Sequence, residues 1–385
     1  MKRKLNNLFA LATISLAAIA WGAEADKPVQ PAATPAAVPA KVAKPRVEVV
    51  FVLDSTGSMG GLIEGAKQKI WAIANGIVAQ KPTPDVRFGL ISYRDKGDDY
   101  ITKKFDITDD IDLVFKNLQS FQAGGGGDGP ESVNQALDEA VNKMAWSPDK
   151  SVTKVIFLVG DFPPHMDYQD DVKYPATCQA AAKNNIIINT VQCGTEPSTT
   201  PVWQEIAKLA EGSYIALAQS GGMTAVATPY DGEIAKISGE IGRTAVAYGS
   251  RERRALVASK MAAAEAAPAA VAADRATFNF SSGGKAIQGH GDLVEDYAQG
   301  NVKLDAVKDA ELPPEMQKMT AEERKAHLAK QQAARAVLNQ QLDNLARQRA
   351  DFIEKEKKRL VKEGKGDAFD LKVGEIITEQ TNRKK

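Results

Sequence analysis

Three short stretches of this 385-residue chain concentrate oxygen donors. In VVFVLDSTGSMGG, residues 49–61, an apolar run ends on Asp54, and Ser55, Thr56 and Ser58 follow within four positions. Asp54, Thr56 and Ser58 alternate, so one extended loop turns all three side chains to the same side. In AGGGGDGPES, residues 123–132, four glycines precede Asp128, and Pro130 marks a helix start. A carboxylate just ahead of a helix is electrostatically favoured. In KVIFLVGDFPPH, residues 154–165, a second apolar run ends beside Asp161. Hard divalent cations take six or more oxygens, gathered from several loops. Each stretch alone has a plainer explanation: a Ser or Asp helix cap, a flexible turn, an ordinary strand-end carboxylate. The glycine run is also conceivable as a phosphate cradle, but no Gly-Lys-Ser/Thr follows it.

The elements that must position these residues follow from patterning. Val47–Leu53, Val86–Tyr93, Lys154–Val159, Ile186–Gln192 and Ser213–Leu217 are predicted strands, with a further one at Ile101–Ile107. Leu62–Ala79, Asp109–Phe121, Glu131–Met144, Thr177–Lys183 and Val202–Ala210 are predicted helices between them. This alternation specifies an α/β fold, a doubly wound, mostly parallel sheet with helices on both faces, followed by a C-terminal helical region. Ligands of such sheets bind beyond the carboxyl ends of the strands, where Asp54 and Asp161 fall.

VVFVLDSTGSM, GGGGDGPE and VIFLVGDFPPH, in this order and at this separation, resemble the von Willebrand factor A domain with its metal-ion-dependent adhesion site. The resemblance spans about residues 46–220, within a domain placed at 46–250. It implies one antiparallel edge strand, placed at 101–107. It also implies that Thr56 and Ser58 touch a divalent ion directly, and that Asp54 and Asp161 do so directly or through water. An open position on the ion would accept a carboxylate from a partner protein. Many adhesive members place Thr in the second loop, where the matching residue here is Asp128, with Glu131 as its substitute if Asp128 points away. Three carboxylates would leave the site with about one net negative charge, weakening capture of an external carboxylate and favouring Ca²⁺ beside Mg²⁺.

Ser55, Glu131, Arg94, Asp95 and His165 are expected around the rim. Arg94 and Asp95 either pair there or belong to a solvated turn, and His165 either touches a ligand or is a loop histidine bonded to backbone. Cys178 and Cys193 are expected near one sheet edge, paired as a disulfide or packed as two thiols.

Net charge is zero, which gives nucleic acid no support as a bulk partner. Residues 1–25 are expected to be a signal peptide: Lys2, Arg3 and Lys4, an apolar stretch of fourteen residues from Leu8 to Trp21, and Ala23-Glu24-Ala25. Periplasmic or secreted location follows from it, with a membrane anchor only if the segment is not cleaved. Residues 26–45, with five prolines, are expected to be a linker. Residues 223–250 contain one more helix, 251–319 an alanine-rich and loop connector broken at Pro268, and 277–300 a glycine-rich loop or hairpin. Residues 320–385 form a helical tail whose main helix, at 1.5 Å per residue, extends roughly 65 Å. Its stripe of Leu338, Leu342, Leu345, Phe352 and Leu360 serves a coiled coil or partner contact, or folds back onto the body, and Arg349 and Glu356 interrupt it. Phe369, Val373, Ile376 and Ile377 mark a last helix.

The expected function is an exported, non-enzymatic module that binds Mg²⁺ or Ca²⁺ and captures a protein partner at the metal site or by the C-terminal helix. No catalytic residue is assigned. The alternatives are a metal-assisted hydrolase with His165 as proton carrier, and a scaffold whose metal only stabilises it.

Overall fold

A computed structural model describes residues 44–220, 226–363 and 369–383. The expected signal peptide and nearly all of the expected linker lie outside the described residues. Residues 44–385 belong to one compact unit. No helix among the described residues is long and apolar enough to cross a membrane.

The described residues form a six-stranded sheet in the order β3-β2-β1-β4-β5-β6. Its strands are β1 (Arg46–Asp54), β2 (Asp85–Tyr93), β3 (Thr102–Thr108), β4 (Thr153–Gly160), β5 (Ile186–Cys193) and β6 (Tyr214–Leu217). β3 runs antiparallel at the edge, as the resemblance implies, and the other pairings are parallel. From β1 the chain winds outward through β2 to β3, then returns to β4 on the other side of β1. The switch point therefore lies between β1 and β4, where a crevice opens beyond the strand ends.

Strand parity divides the core. Val47, Val49, Phe51 and Leu53 face one layer, with α1 (Gly60–Val78) and α2 (Ile111–Gln119). Val50 and Val52 face the other, with α3 (Val133–Asn142), α4 (Tyr174–Lys183) and α5 (Thr199–Leu209). Phe51 stacks between Phe88 and Phe157 across the three central strands.

The cysteine pairing is corrected by the same parity. Cys178 packs in the α3–α4–α5 layer and Cys193 in the α1 layer, so the sheet stands between two buried, free thiols. Burial raises both thiol pKa values, Cys178 to about 12. Neither is prepared for exchange.

Beyond β6 come α6 (Asp231–Arg243), α7 (Arg251–Glu265), α8 (Ala269–Ser281), α9 (Leu293–Ala298), α10 (Pro314–Gln317), α11 (Ala321–Lys362) and α12 (Phe369–Arg383). The glycine-rich stretch at 277–300 is not a hairpin. α8 runs into it, Gly283, Gly284, Gly289 and Gly291 turn with positive φ, and the Asp292 carboxylate caps α9 by accepting from the Val294 N–H. α11 packs along α6 and α8. Arg349, which breaks its apolar stripe, is buried there against Asp231 of α6 at 2.7 Å and Asp274 of α8 at 2.6 Å.

α8 and α12 complete the α1 layer. Val271 and Phe278 from α8, and Val373, Ile376 and Ile377 from α12, all join that core, with Phe278 5.5 Å from the Trp71 ring. Gln380 and Asn189 of β5 exchange two buried amide hydrogen bonds, of 2.8 and 3.2 Å.

Candidate metal centre

Three loops meet over the switch point and are stitched by backbone. Gly124 N–H donates to the Ser55 carbonyl at 3.1 Å, and Gly57 N–H to the Gly125 carbonyl at 3.2 Å. Glu131 N–H donates to Pro163 O, and His165 N–H to Glu131 O, each at 3.0 Å. Gly125 and Gly126 have φ near +80°, which favours glycine, and a Cβ on Gly126 would lie 3.4 Å from that of Thr56. The glycine run thus closes one loop onto another. Gly160 allows a second close approach, since a Cβ there would stand 2.3 Å from the Tyr93 hydroxyl and 3.1 Å from Asp54 Oδ2.

Asp54 ends β1 fully buried. Its Oδ1 accepts from the Thr56 N–H at 2.8 Å and the Thr56 hydroxyl at 2.7 Å. Its Oδ2 is buried with no partner. The exposed Ser58 hydroxyl is 3.4 Å from that of Thr56. Asp161 Oδ2 accepts from Gln219 Nε2 at 2.7 Å, while Oδ1 is buried without a partner. Burial and the nearby Asp161 charge push Asp54 up to about 8. Glu131, with Oε2 also unpartnered, is pushed up to about 9 by burial first and then by Asp54, Asp95 and Asp161. These acids crowd unpaired oxygens into a buried crevice, an arrangement that a cation relieves and that is otherwise costly. Asp54, Thr56, Ser58 and Asp161 therefore come together as an all-oxygen donor set that fits a hard divalent ion.

Asp128 does not join them. Its half-exposed carboxylate stands 3.5 Å from His165 Nε2, which is also 3.5 Å from Asp95 Oδ2. One ligand atom from each of Asp95, Asp128 and His165 lies within 4.8 Å of the others, forming a neighbouring pocket. The second-loop carboxylate facing Asp54 and Asp161 is Glu131. The parallel bridge between Glu131 and Pro164 fixes the register of Glu131, while Asp128 lies with Asp95 and His165.

The rim also differs from expectation. Arg94 pairs with Asp99 at 3.4 Å and donates to the Ser55 and Gln122 carbonyls, so it braces two loops and does not pair with Asp95. Asp95 instead accepts from Ser132 and Tyr168 hydroxyls, each at 2.7 Å. Ser55 is buried in a hydroxyl cluster with Ser92 and Tyr100, beneath the loop rather than on its rim. The His165 ring is bonded to the Asp167 side chain at 2.8 Å, not to backbone. Gln219 and Tyr168 could not be found from sequence: an exposed Gln after a short strand and a loop Tyr carry no distinguishing pattern.

The von Willebrand factor A domain family model matches residues 48–229. The alpha-protein kinase vwkA of Dictyostelium discoideum is 30% identical over 129 residues, covering 31% of this chain and 19% of the kinase. The chain therefore spans about a fifth of that relative's length. Among solved structures, the SpRpn10 VWA domain is similar with 14% identity and a TM-score of 0.35, over 45% of this chain and 88% of that one. An aerotolerance-related membrane protein from Bacteroides fragilis, carrying multiple mutations to serines, is similar with 20% identity and a TM-score of 0.32, over 45% and 92%.

Proposed function

We propose that the von Willebrand factor A domain at residues 48–229 holds a divalent cation at Asp54, Thr56, Ser58 and Asp161 and uses it to bind a protein partner. Domains of this family typically mediate protein interactions. The observation that carries the reading is the pair of buried, unpartnered oxygens, Asp54 Oδ2 and Asp161 Oδ1, on adjacent strand ends. A bound ion would supply a Lewis-acidic position for one more oxygen ligand.

The protein's own residues orient and exclude. Thr56 fixes one Asp54 oxygen and leaves the other free. Gln219 does the same for Asp161. The glycine loop closes one wall, and the exposed Ser58 marks the open side. With Asp128 turned toward His165, the crevice's carboxylates are Asp54, Asp161 and Glu131, and a divalent charge there is balanced while Glu131 keeps its proton, which its raised pKa of about 9 favours. A protonated Glu131 leaves to a partner carboxylate the electrostatic advantage that a third ionised carboxylate would remove. Mg²⁺ and Ca²⁺ both suit an all-oxygen set, and Mg²⁺ suits the smaller one.

His165 bonds Asp167 through Nδ1 and turns Nε2 to Asp95 and Asp128, which favours the binding reading over a hydrolase that uses His165 at Asp54 and Asp161. The reading is accordingly of a binding module acting outside the cytoplasm, the location resting on residues 1–25 alone.

Melting the full chain with Mg²⁺ and with chelator, at pH 5 and pH 8, tests the ion. Asp54 and Glu131 have folded pKa values above the ordinary carboxylate range, so the ion-free folded state holds protons that the unfolded state releases. Ion-free stability is therefore greatest at low pH and falls as pH rises through about 8 to 9. An ion replaces those protons, so the gap between Mg²⁺ and chelator should widen with pH. At a hundred times its Kd a ligand adds about 2.7 kcal/mol. Asp54→Ala should abolish the gap and also the chelator-sensitive capture of the partner. A gap equal at both pH values, or intact in Asp54→Ala, would sink the assignment.

A further inference from the structure

The geometry points to a second, chemically different ion site, in which Asp95, Asp128 and His165 bind a borderline transition-metal cation such as Zn²⁺. It does not depend on the oxygen site proposed above.

The His165 ring is 8% exposed, and its Nε2 is buried with no hydrogen-bond partner. Its Nδ1 faces Asp167 Oδ1 at 2.8 Å. A carboxylate accepts, so Nδ1 carries a proton and Nε2 points at the other two carboxylates. Nε2 is 3.5 Å from both Asp95 Oδ2 and Asp128 Oδ2. That is too long for good hydrogen bonds. Ligand atoms about 2.0–2.2 Å from a tetrahedral zinc ion are about 3.3–3.5 Å apart, the separation seen here. A buried, unpartnered ring nitrogen facing two carboxylate oxygens at that distance calls for a positive centre among them, which a metal ion supplies.

The surroundings match a ligand set rather than a chance cluster. Asp167 behind the ring supplies the carboxylate–histidine–metal arrangement that orients an imidazole ligand. Tyr168 stacks on the ring at 4.1 Å and bonds Asp95 Oδ2, and Ser132 bonds Oδ1. Asp128, the exposed member, leaves the pocket open to solvent, and three protein ligands leave a fourth position for water or a partner's ligand. Nitrogen in the donor set selects Zn²⁺ over Mg²⁺ and Ca²⁺. The two carboxylates balance its charge.

The test is calorimetric titration of the full chain with Zn²⁺ in excess Mg²⁺ at pH 7.5. One Zn²⁺ per chain is expected, retained by Asp54→Ala. His165→Ala should remove it, and Asp128→Asn should weaken it at least about tenfold while leaving the melting temperature without zinc unchanged, since that side chain is 60% exposed. Asp167→Asn should weaken it about 10–100-fold through ring orientation. If the wild-type chain takes no zinc, a proton rather than a metal occupies the gap and the site is refuted. Zinc bound equally by His165→Ala has gone to His290, His327 or elsewhere, and refutes it too. Zinc lost in Asp54→Ala but kept in His165→Ala has entered the oxygen site, which likewise overturns the proposal.

Discussion

A chain ended at residue 229, where the family match stops, is expected not to fold as a stable soluble unit. The α1 face of the sheet would lose Val271, Phe278, Val373, Ile376 and Ile377, all buried in its core. Five such side chains at about 1.5–3 kcal/mol each come to roughly 7–15 kcal/mol, an upper figure because unfolded chains already bury some surface. That equals the whole stability of a typical domain, about 5–15 kcal/mol. Asn189, buried in β5, would also lose its Gln380 partner. The check is expression of residues 44–229 beside 44–385, followed by denaturant unfolding. A cooperative transition with similar midpoint in the shorter chain would show that α8 and α12 only decorate an autonomous domain.

The second large effect belongs to Arg349→Ala, which should cost about 3–5 kcal/mol, the penalty for stripping one partner from a buried ion pair. Arg349 is the only cation paired with Asp231 among the described ion pairs, and it also holds Asp274 and donates to the Ala270 carbonyl. Without it, the buried Asp231 and the partly buried Asp274 face each other across α6 and α8, with the Lys69 charge still beside Asp274. Lysine cannot replace the fork, because one ammonium does not reproduce three directed bonds to three groups. Arg349→Lys should therefore remain well below the parent. Adding Asp274→Asn to Arg349→Ala should recover part of the loss, since it removes one stranded charge. Urea midpoints at constant m-value measure this, and a shift below about 1 kcal/mol for Arg349→Ala would show that the latch is solvated.

What was legible in the sequence is what short-range physics controls. A buried β-branched run ending on Asp defines both a strand and where its carboxylate sits, so Asp54 and Asp161 were assignable. The alternation of Thr56 and Ser58 is equally local. Asp128 and Glu131 are three residues apart in a loop, and only the pairing of Glu131 with Pro164 decides which one turns toward Asp54. Cys178 and Cys193 were expected near one sheet edge but on unspecified faces, and the face is a matter of parity through an entire sheet. Arg349 disturbs a heptad pattern because it has two carboxylate partners on other helices, a fact no window of α11 contains. The role of α12 depends on a surface made by residues hundreds of positions earlier.

The amide exchange between Asn189 and Gln380 joins positions 191 residues apart. Chains are made from the amino terminus at about 5–20 residues per second. The β5 strand is therefore complete roughly ten seconds or more before its covering helix exists. For that interval part of the apolar sheet face on the α1 side lacks its cover, and its closure must wait for α12 to return over a long loop, the kind of contact that slows folding. The fold is completed by α12, and whatever shelters the nascent chain is needed until its final turn arrives.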